Sequence, residues 1–255
     1  MLQRPTETSC SPACFGGSRD PSSTAVLVSV LVLIASPTAQ LAHAEGDQPS
    51  PTEQEIAPTA PEADTPPDPS LPIVGLQTFQ VAPTGLAGVR PANWQFDSVS
   101  SGRGFASTSS LGAPDSFVGV FISREDGEKI AAQYHISAGC ACQLVSRLLL
   151  EGLKRNVVNG PQPETLEEAL NEDGGGTLVV ATTTVTPTSR VPVRVRTYAR
   201  TTIRPDGLIF AHATVPEDQF ADEEQLLRDM VDSVGTGDDS KVSGRATEAM
   251  SVSAN

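Results

Sequence analysis

The chain has 255 residues, of which 38% are hydrophobic and only 4% aromatic, and its formal net charge is −14. That size and composition suit one medium-sized body with extensions rather than two full domains. The acidity argues against nucleic acid and anionic lipid as partners, since either needs an electropositive patch strong enough to overcome long-range repulsion.

The first element is the apolar run from Ala25 to Ala35 (AVLVSVLVLIA), well short of the roughly 20 residues that a membrane-spanning helix requires. Ala42-His43-Ala44 downstream matches an A-x-A cleavage site. Together they predict a signal peptide over residues 1–44 and an exported mature chain, periplasmic or extracellular, with no integral membrane span after cleavage. Arg4 and Arg19 are balanced by Glu7 and Asp20, where a basic start is usual, so an uncleaved anchor stands as the alternative. Residues 45–71 hold seven Pro, seven Asp or Glu and no Lys or Arg, and cannot bury a core. They read as a disordered leader or a stiff acidic tether, because Pro favours extended conformations and like charges repel. The tail 236–255 is poor in large apolar residues and reads as disordered too. The folded body is then residues 72–235, where 13 Lys or Arg face 19 Asp or Glu for a net of −6.

Within the body, short strands are predicted near Gln77, from Trp94 and from Gly104, separated by Pro83, Pro91 and a Ser-Ser-Gly stretch. FVGVFISR and EKIAAQYHI flank Glu125-Asp126-Gly127, which suits a bulged hairpin placing Ile130, Ala132, Tyr134 and Ile136 on one face. From Gln143 to Val158 the apolar spacing becomes helical, with Leu144, Val145, Leu148, Leu149, Leu153 and Val157 along one stripe. Thr165 to Leu170 reads as a further helical turn or a loop. Thr177–Thr186 is a strand preceded by a Gly-rich loop, and Val191–Ile203 alternates apolar with polar and basic residues as a half-buried strand. Pro205-Asp206-Gly207 turns that strand into LIFAHATV as a β-hairpin, with Gly207 tolerating a positive φ. Asp222 with Gln225 resembles a capping box, and Leu227, Met230, Val231 and Val234 form the buried side of a closing helix. Their burial contributes roughly 6 to 10 kcal/mol before entropy is subtracted.

This order of elements predicts an α+β fold, an antiparallel sheet covered by a central helix and a C-terminal helix. VRPANWQF, GRGF, the central helix, three strands and a final helix ending LLRDMVDSV resemble the PsbP-like group of α/β/α sandwich proteins over residues 77–235, with Pro91 and Trp94 matching its opening Pro-x-x-Trp. The resemblance implies a binding or assembly factor without a shared catalytic residue, and no site residue is carried over from it.

Two clusters carry candidate chemistry. Arg190, Arg194, Arg196, Arg200 and Arg204 share one strand parity with Tyr198. Arg194, Arg196, Tyr198 and Arg200 could bind an anionic group by bidentate pairing, or the arginines could pair with neighbouring carboxylates, including those of residues 164–172. Cys140 and Cys142 form a possible disulfide or thiol pair, although residues two apart point away from each other on a helix and sit about 6.6 Å apart on a strand. With His135 they could hold a soft metal, yet the C-x-x-C spacing of structural zinc sites is missing. His212 shares a strand face with Leu208 and Phe210 and reads as a core histidine. The reading is therefore an exported, monomeric, non-catalytic binding or assembly protein with no cofactor, its partner an unidentified protein or small ligand. The alternative is a small secreted enzyme or metal or redox protein using His135, Cys140 and Cys142.

Overall fold

A computed structural model describes residues 68–236 apart from 83, 99–102, 111 and 187. The predicted signal peptide, most of the predicted linker and the tail beyond Thr236 lie outside the described residues. The elements follow in the order β1 (Leu76–Val81), β2 (Leu86–Pro91), β3 (Gln95–Ser98), β4 (Gly104–Thr108), β5 (Ser116–Ser123), α1 (Arg124–Gln133), α2 (Ala141–Leu153), β6 (Glu164–Leu170), β7 (Gly176–Thr184), β8 (Val193–Arg204), β9 (Gly207–Pro216), α3 (Phe220–Ser233) and β10 (Gly235–Thr236), with a 3-10 turn at Ala138–Cys140 before α2.

Seven strands form one antiparallel sheet in the order β3-β4-β5-β9-β8-β7-β6, and β1, β2 and β10 form a second, three-stranded sheet. Strand periodicity decides what covers each face. Leu178, Val180, Ala199, Leu208 and Phe210 pack with Val145, Leu149 and Leu150 of α2. The residues between them, Val179, Tyr198, Ile209 and Ala211, pack with Leu227, Met230 and Val231 of α3 and with Phe79 and Leu86 of the small sheet. The large sheet is thus the middle layer of a sandwich, as the alternation of two apolar sets along each strand demands. Where β4 crosses β5, Phe105 lies opposite Gly119, and any Cβ at Gly119 would collide with the Phe105 ring.

The expected hairpin around Glu125-Asp126-Gly127 is replaced by helix α1. Ser123 caps it: its hydroxyl accepts from the Asp126 amide at 3.2 Å and donates to the Asp126 carboxylate at 2.7 Å. Lys129–Glu125 at 2.8 Å and Arg124–Glu128 at 3.1 Å add i,i+4 pairs that a strand could not make. The proposed face of Ile130, Ala132, Tyr134 and Ile136 therefore splits: Ala132 is exposed, Ile130 packs half-buried on the α2-side core, and Tyr134 and Ile136 pack half-buried around the fully buried Ala131.

Helix α2 stops at Leu153 rather than Val158. Asn156 Oδ1 accepts from the Thr183 amide at 2.8 Å and the Val157 amide donates to Thr183 O at 3.1 Å, so these residues complete the edge of β7 beyond the reach of β6. Val157 consequently stands 72% exposed instead of joining the stripe. Thr165–Leu170 is neither a helical turn nor a loop: it lies in β6, the outer strand, paired with β7 and bulged between Thr165 and Glu167.

Helix α3 starts at Phe220 with Gln219 as its cap residue, so Asp222 sits inside the first turn and Gln225 bonds Asp229 at 2.9 Å; no capping box forms. The burial of Leu227, Met230, Val231 and Val234 is as expected, and Gly235 pairs with Ala87 in β10 as the helix ends. The hairpin closes with Arg204 opposite Gly207. Gly207 is not among the positive-φ glycines; it is needed because a Cβ would run into the Ile122 carbonyl oxygen. The described chain is tied to the body from Asp68 onward, earlier than residue 72: the Asp68 amide donates to Gly112 O at 3.1 Å and the Leu71 amide to Ser109 Oγ at 3.3 Å.

Candidate functional site

The α3 side of the large sheet carries the concentrated chemistry of the described residues. Cross-strand registry sets Arg196 beside Ala181, Tyr198 beside Val179 and Arg200 beside Thr177, while Val179 faces Glu167 on β6. Opposed residues in an antiparallel ladder share a face. The row Arg194, Arg196, Tyr198, Arg200 therefore runs along β8 with Glu164 and Glu167 two strands away, and α3 lies alongside.

Each arginine of the row meets a carboxylate. Arg194 is 3.5 Å from Glu217 and 3.8 Å from Glu164, and its Nη1 donates to Gln162 O at 3.1 Å. Arg196 donates to Glu217 at 3.0 Å and lies over the Phe220 ring at 5.6 Å. Arg200 donates to Asp232 at 3.1 Å, and Tyr198 donates its hydroxyl to the same Oδ1 at 3.0 Å. Arg228 stacks over Tyr198 at 4.7 Å and bridges Glu167 at 2.8 Å and Glu224 at 2.6 Å. Arg204 reaches Asp206 at 3.5 Å, and Arg190 precedes β8 in the connection from β7. The pairing with neighbouring carboxylates is thus what the fold builds, and an anion binding here would compete with Glu217 or Asp232. With side chains 21 to 40% exposed, the three arginines of the row remain reachable at the surface.

The surface is electrostatically fixed. Burial raises the Tyr198 phenol to about 12, helped by the Asp232 charge. Partial burial works against the Arg228 charge, but hydrogen bonds to Glu167 and Glu224 outweigh it and push its pKa up. Sequence reasoning missed Glu217, Asp232 and Arg228. The i,i+4 spacing of Glu224, Arg228 and Asp232 could have marked them as one helical face.

The other candidates are not brought together. His135 is exposed at φ 57° just after α1, Cys140 is buried, and Cys142 is a half-buried free thiol, so no bridge joins the two cysteines. Burial pushes the Cys142 thiol pKa up. Among the described residues no three His, Cys, Asp or Glu side chains are grouped as a metal site. His212 lies on the α2 side of β9 with its ring 5.3 Å from Phe210; its Nδ1 has no partner among the described residues, and burial lowers its pKa to about 4. Two carboxylates lie under the segment entering β1. Asp115 accepts from Ser109 Oγ at 2.8 Å and Glu223 from the Ile73 amide at 3.1 Å, and burial raises the pKa of both. Among the described residues no single helix is long and apolar enough to cross a membrane.

The fold is an α+β sandwich built on an antiparallel sheet. No protein-family model matches the chain, and no curated protein matches it. Among solved structures it is similar to the Ran-binding protein Mog1p of Saccharomyces cerevisiae, at 16% identity over 64% of this chain and 95% of that chain with a TM-score of 0.37. It is also similar to the cyanobacterial PsbP of Synechocystis, at 12% identity over 66% of this chain and 98% of that one with a TM-score of 0.36. A third is LpqN, involved in cell envelope biogenesis of Mycobacterium tuberculosis, at 12% identity, 63% and 91% coverage and a TM-score of 0.30. The PsbP-like resemblance read from the sequence thus has a counterpart in a solved PsbP structure, as a weak likeness of fold.

Proposed function

We propose that this chain is an exported binding or assembly protein of the cell envelope or extracellular space, acting without a catalytic step, with Arg194, Arg196, Tyr198 and Arg200 at the centre of its partner-facing surface. The observation that carries the reading is the geometry of that surface: Arg194, Arg196 and Arg200 stand in one row along β8, each held by a carboxylate yet with side chains 21 to 40% exposed. Charges already paired at a surface favour specificity and orientation in docking over tight capture of one small anion. Export rests on the apolar run at 25–35 and the Ala42-His43-Ala44 pattern, and the acidic stretch 45–71 supplies a spacer between body and neighbours.

Affinity capture from the envelope fraction with the full chain, a form lacking residues 45–71 and the Arg196→Glu/Arg200→Glu variant tests the reading. The first two capture the same partner and the third loses it while still unfolding cooperatively. Equal capture by the charge-reversed form, or no capture above control, overturns the assignment of the surface. N-terminal sequencing of the fractionated protein should place the mature start after Ala44.

A further inference from the structure

Resting on that reading of the chain as a binding protein, we propose that the outer edge of β6 is a docking site for an extended, lysine- or arginine-bearing peptide segment, which adds to the large sheet as an eighth strand.

β6 is the last strand of the sheet, seven residues long, and every one of its residues is exposed. Its inner edge pairs with β7. Among the described residues, no backbone or side-chain group bonds the outward amides and carbonyls of Glu164–Leu170. An unpaired edge of this length is a template for a further strand at about 4.8 Å. The opposite edge, β3, has only four residues.

The side chains select the occupant. From Glu164 to Asp173 the sequence ETLEEALNED carries five carboxylates and no Lys or Arg. The cations that reach β6 from inboard are shared: Arg194 also contacts Glu217, Arg228 also Glu224, and Lys154 also Glu151. Carboxylates therefore outnumber their cations along this edge, and a basic strand laid beside it supplies the missing charge at cross-strand distance. A second copy of this chain is disfavoured by the same residues. Antiparallel self-pairing that sets Glu164 of one copy opposite Glu167 of the other, the two β6 glutamates on the α3 side, is a like-charge contact. Leu166 and Leu170, 37% and 51% exposed, give the incoming strand apolar contacts between the charges. Edge glutamates that block self-association thus double as the recognition element.

The probe is a fluorescent heptapeptide alternating lysine and valine, titrated against the full chain, with two controls: its glutamate counterpart, and the lysine peptide carrying N-methyl groups on alternate amides. The lysine peptide binds and slows hydrogen exchange of the 164–170 amides, while both controls bind at least tenfold more weakly. Glu164→Gln/Glu167→Gln/Glu168→Gln weakens the lysine peptide at least tenfold with cooperative unfolding retained, and Glu164→Gln/Glu172→Gln, which spares the Arg228 and Lys154 pairs, weakens it in the same direction. No binding of the lysine peptide, equal binding of the N-methylated form, protection elsewhere in the chain, or a β6-dependent dimer in sedimentation each overturns the proposal. Retained partner capture with failed peptide binding defeats the edge site alone; intact peptide binding with capture unaffected by Arg196→Glu/Arg200→Glu defeats the surface assigned above alone.

Discussion

Tyr198 on β8 and Asp232 on α3 are joined by a 3.0 Å hydrogen bond from the phenolic hydroxyl to Oδ1, and Arg200 donates to that same oxygen at 3.1 Å. One carboxylate oxygen therefore clasps the closing helix to the strand it covers.

Tyr198→Phe removes one donor and leaves Asp232 partnered by Arg200, so the expected loss is about 1 kcal/mol with an unchanged urea m-value. The phenol also predicts a pH limit. Its folded pKa, about 12, lies above the ordinary 10.0, so the protonated form is the one folding favours. That contribution is complete below pH 10.0 and is lost as pH climbs toward about 12. Absorbance of phenolate should show one of the two tyrosines titrating near 12, and Tyr198→Phe should abolish that late step.

Leu227 is fully buried among Phe220, Met230 and the α3-side strand residues. Leu227→Ala should cost about 2 to 5 kcal/mol through lost transfer energy and the cavity left behind. Leu227→Asp should leave no cooperative unfolding transition. A melting temperature within a degree or two of the parent for the Asp variant would mean that α3 does not close the core.

His212 should titrate with a midpoint near 4, read from its ring-proton shifts by NMR. Because the folded pKa lies below the ordinary 6.5, protonation favours the unfolded chain. Its contribution is complete above pH 6.5 and falls away as pH drops toward about 4, so His212→Phe should flatten that limb of the stability curve.

Asp115 works in the opposite sense. It is 1% exposed, its Oδ2 has no partner among the described residues, and burial raises its pKa above 3.8. Ionisation therefore costs stability, a penalty absent below pH 3.8 and growing as pH rises through the folded value. Asp115→Asn keeps the Ser109 acceptor and cannot ionise, so the variant should lack this loss of stability between acid and neutral pH. Thermal melts of variant and parent at both pH extremes should show the difference.

The parts of the fold legible in the sequence were those governed by local pattern. The alternation read over Val191–Ile203 meets the strand Val193–Arg204, and the Pro205-Asp206-Gly207 turn and the apolar stripe of Leu227, Met230, Val231 and Val234 each match the element found. Residues 123–133 show how a local reading fails. The Glu-Asp-Gly tripeptide suits a hairpin, but Ser123 and Asp126 also form a capping pair, and the helix it starts packs Ala131 against Ala141 and Leu144 of the next helix. The Arg row was visible by parity, and so was the 164–172 segment whose Glu164 meets Arg194; Glu217 and Asp232 were not, because the β9–α3 connection and α3 come beside β8 only in the folded chain.

What the amino-acid sequence determined by itself is the alternation that makes β8 two-faced and the helical stripe that must be buried, since both periods are properties of neighbouring residues along one chain. Tertiary structure alone decided that Glu164–Leu170 would extend as an edge strand and that α2 would end at Leu153. The hydrogen-bonding groups that settle those outcomes lie on β7, at positions such as Val179 and Thr183, more than ten residues away in sequence and adjacent only once the sheet has formed.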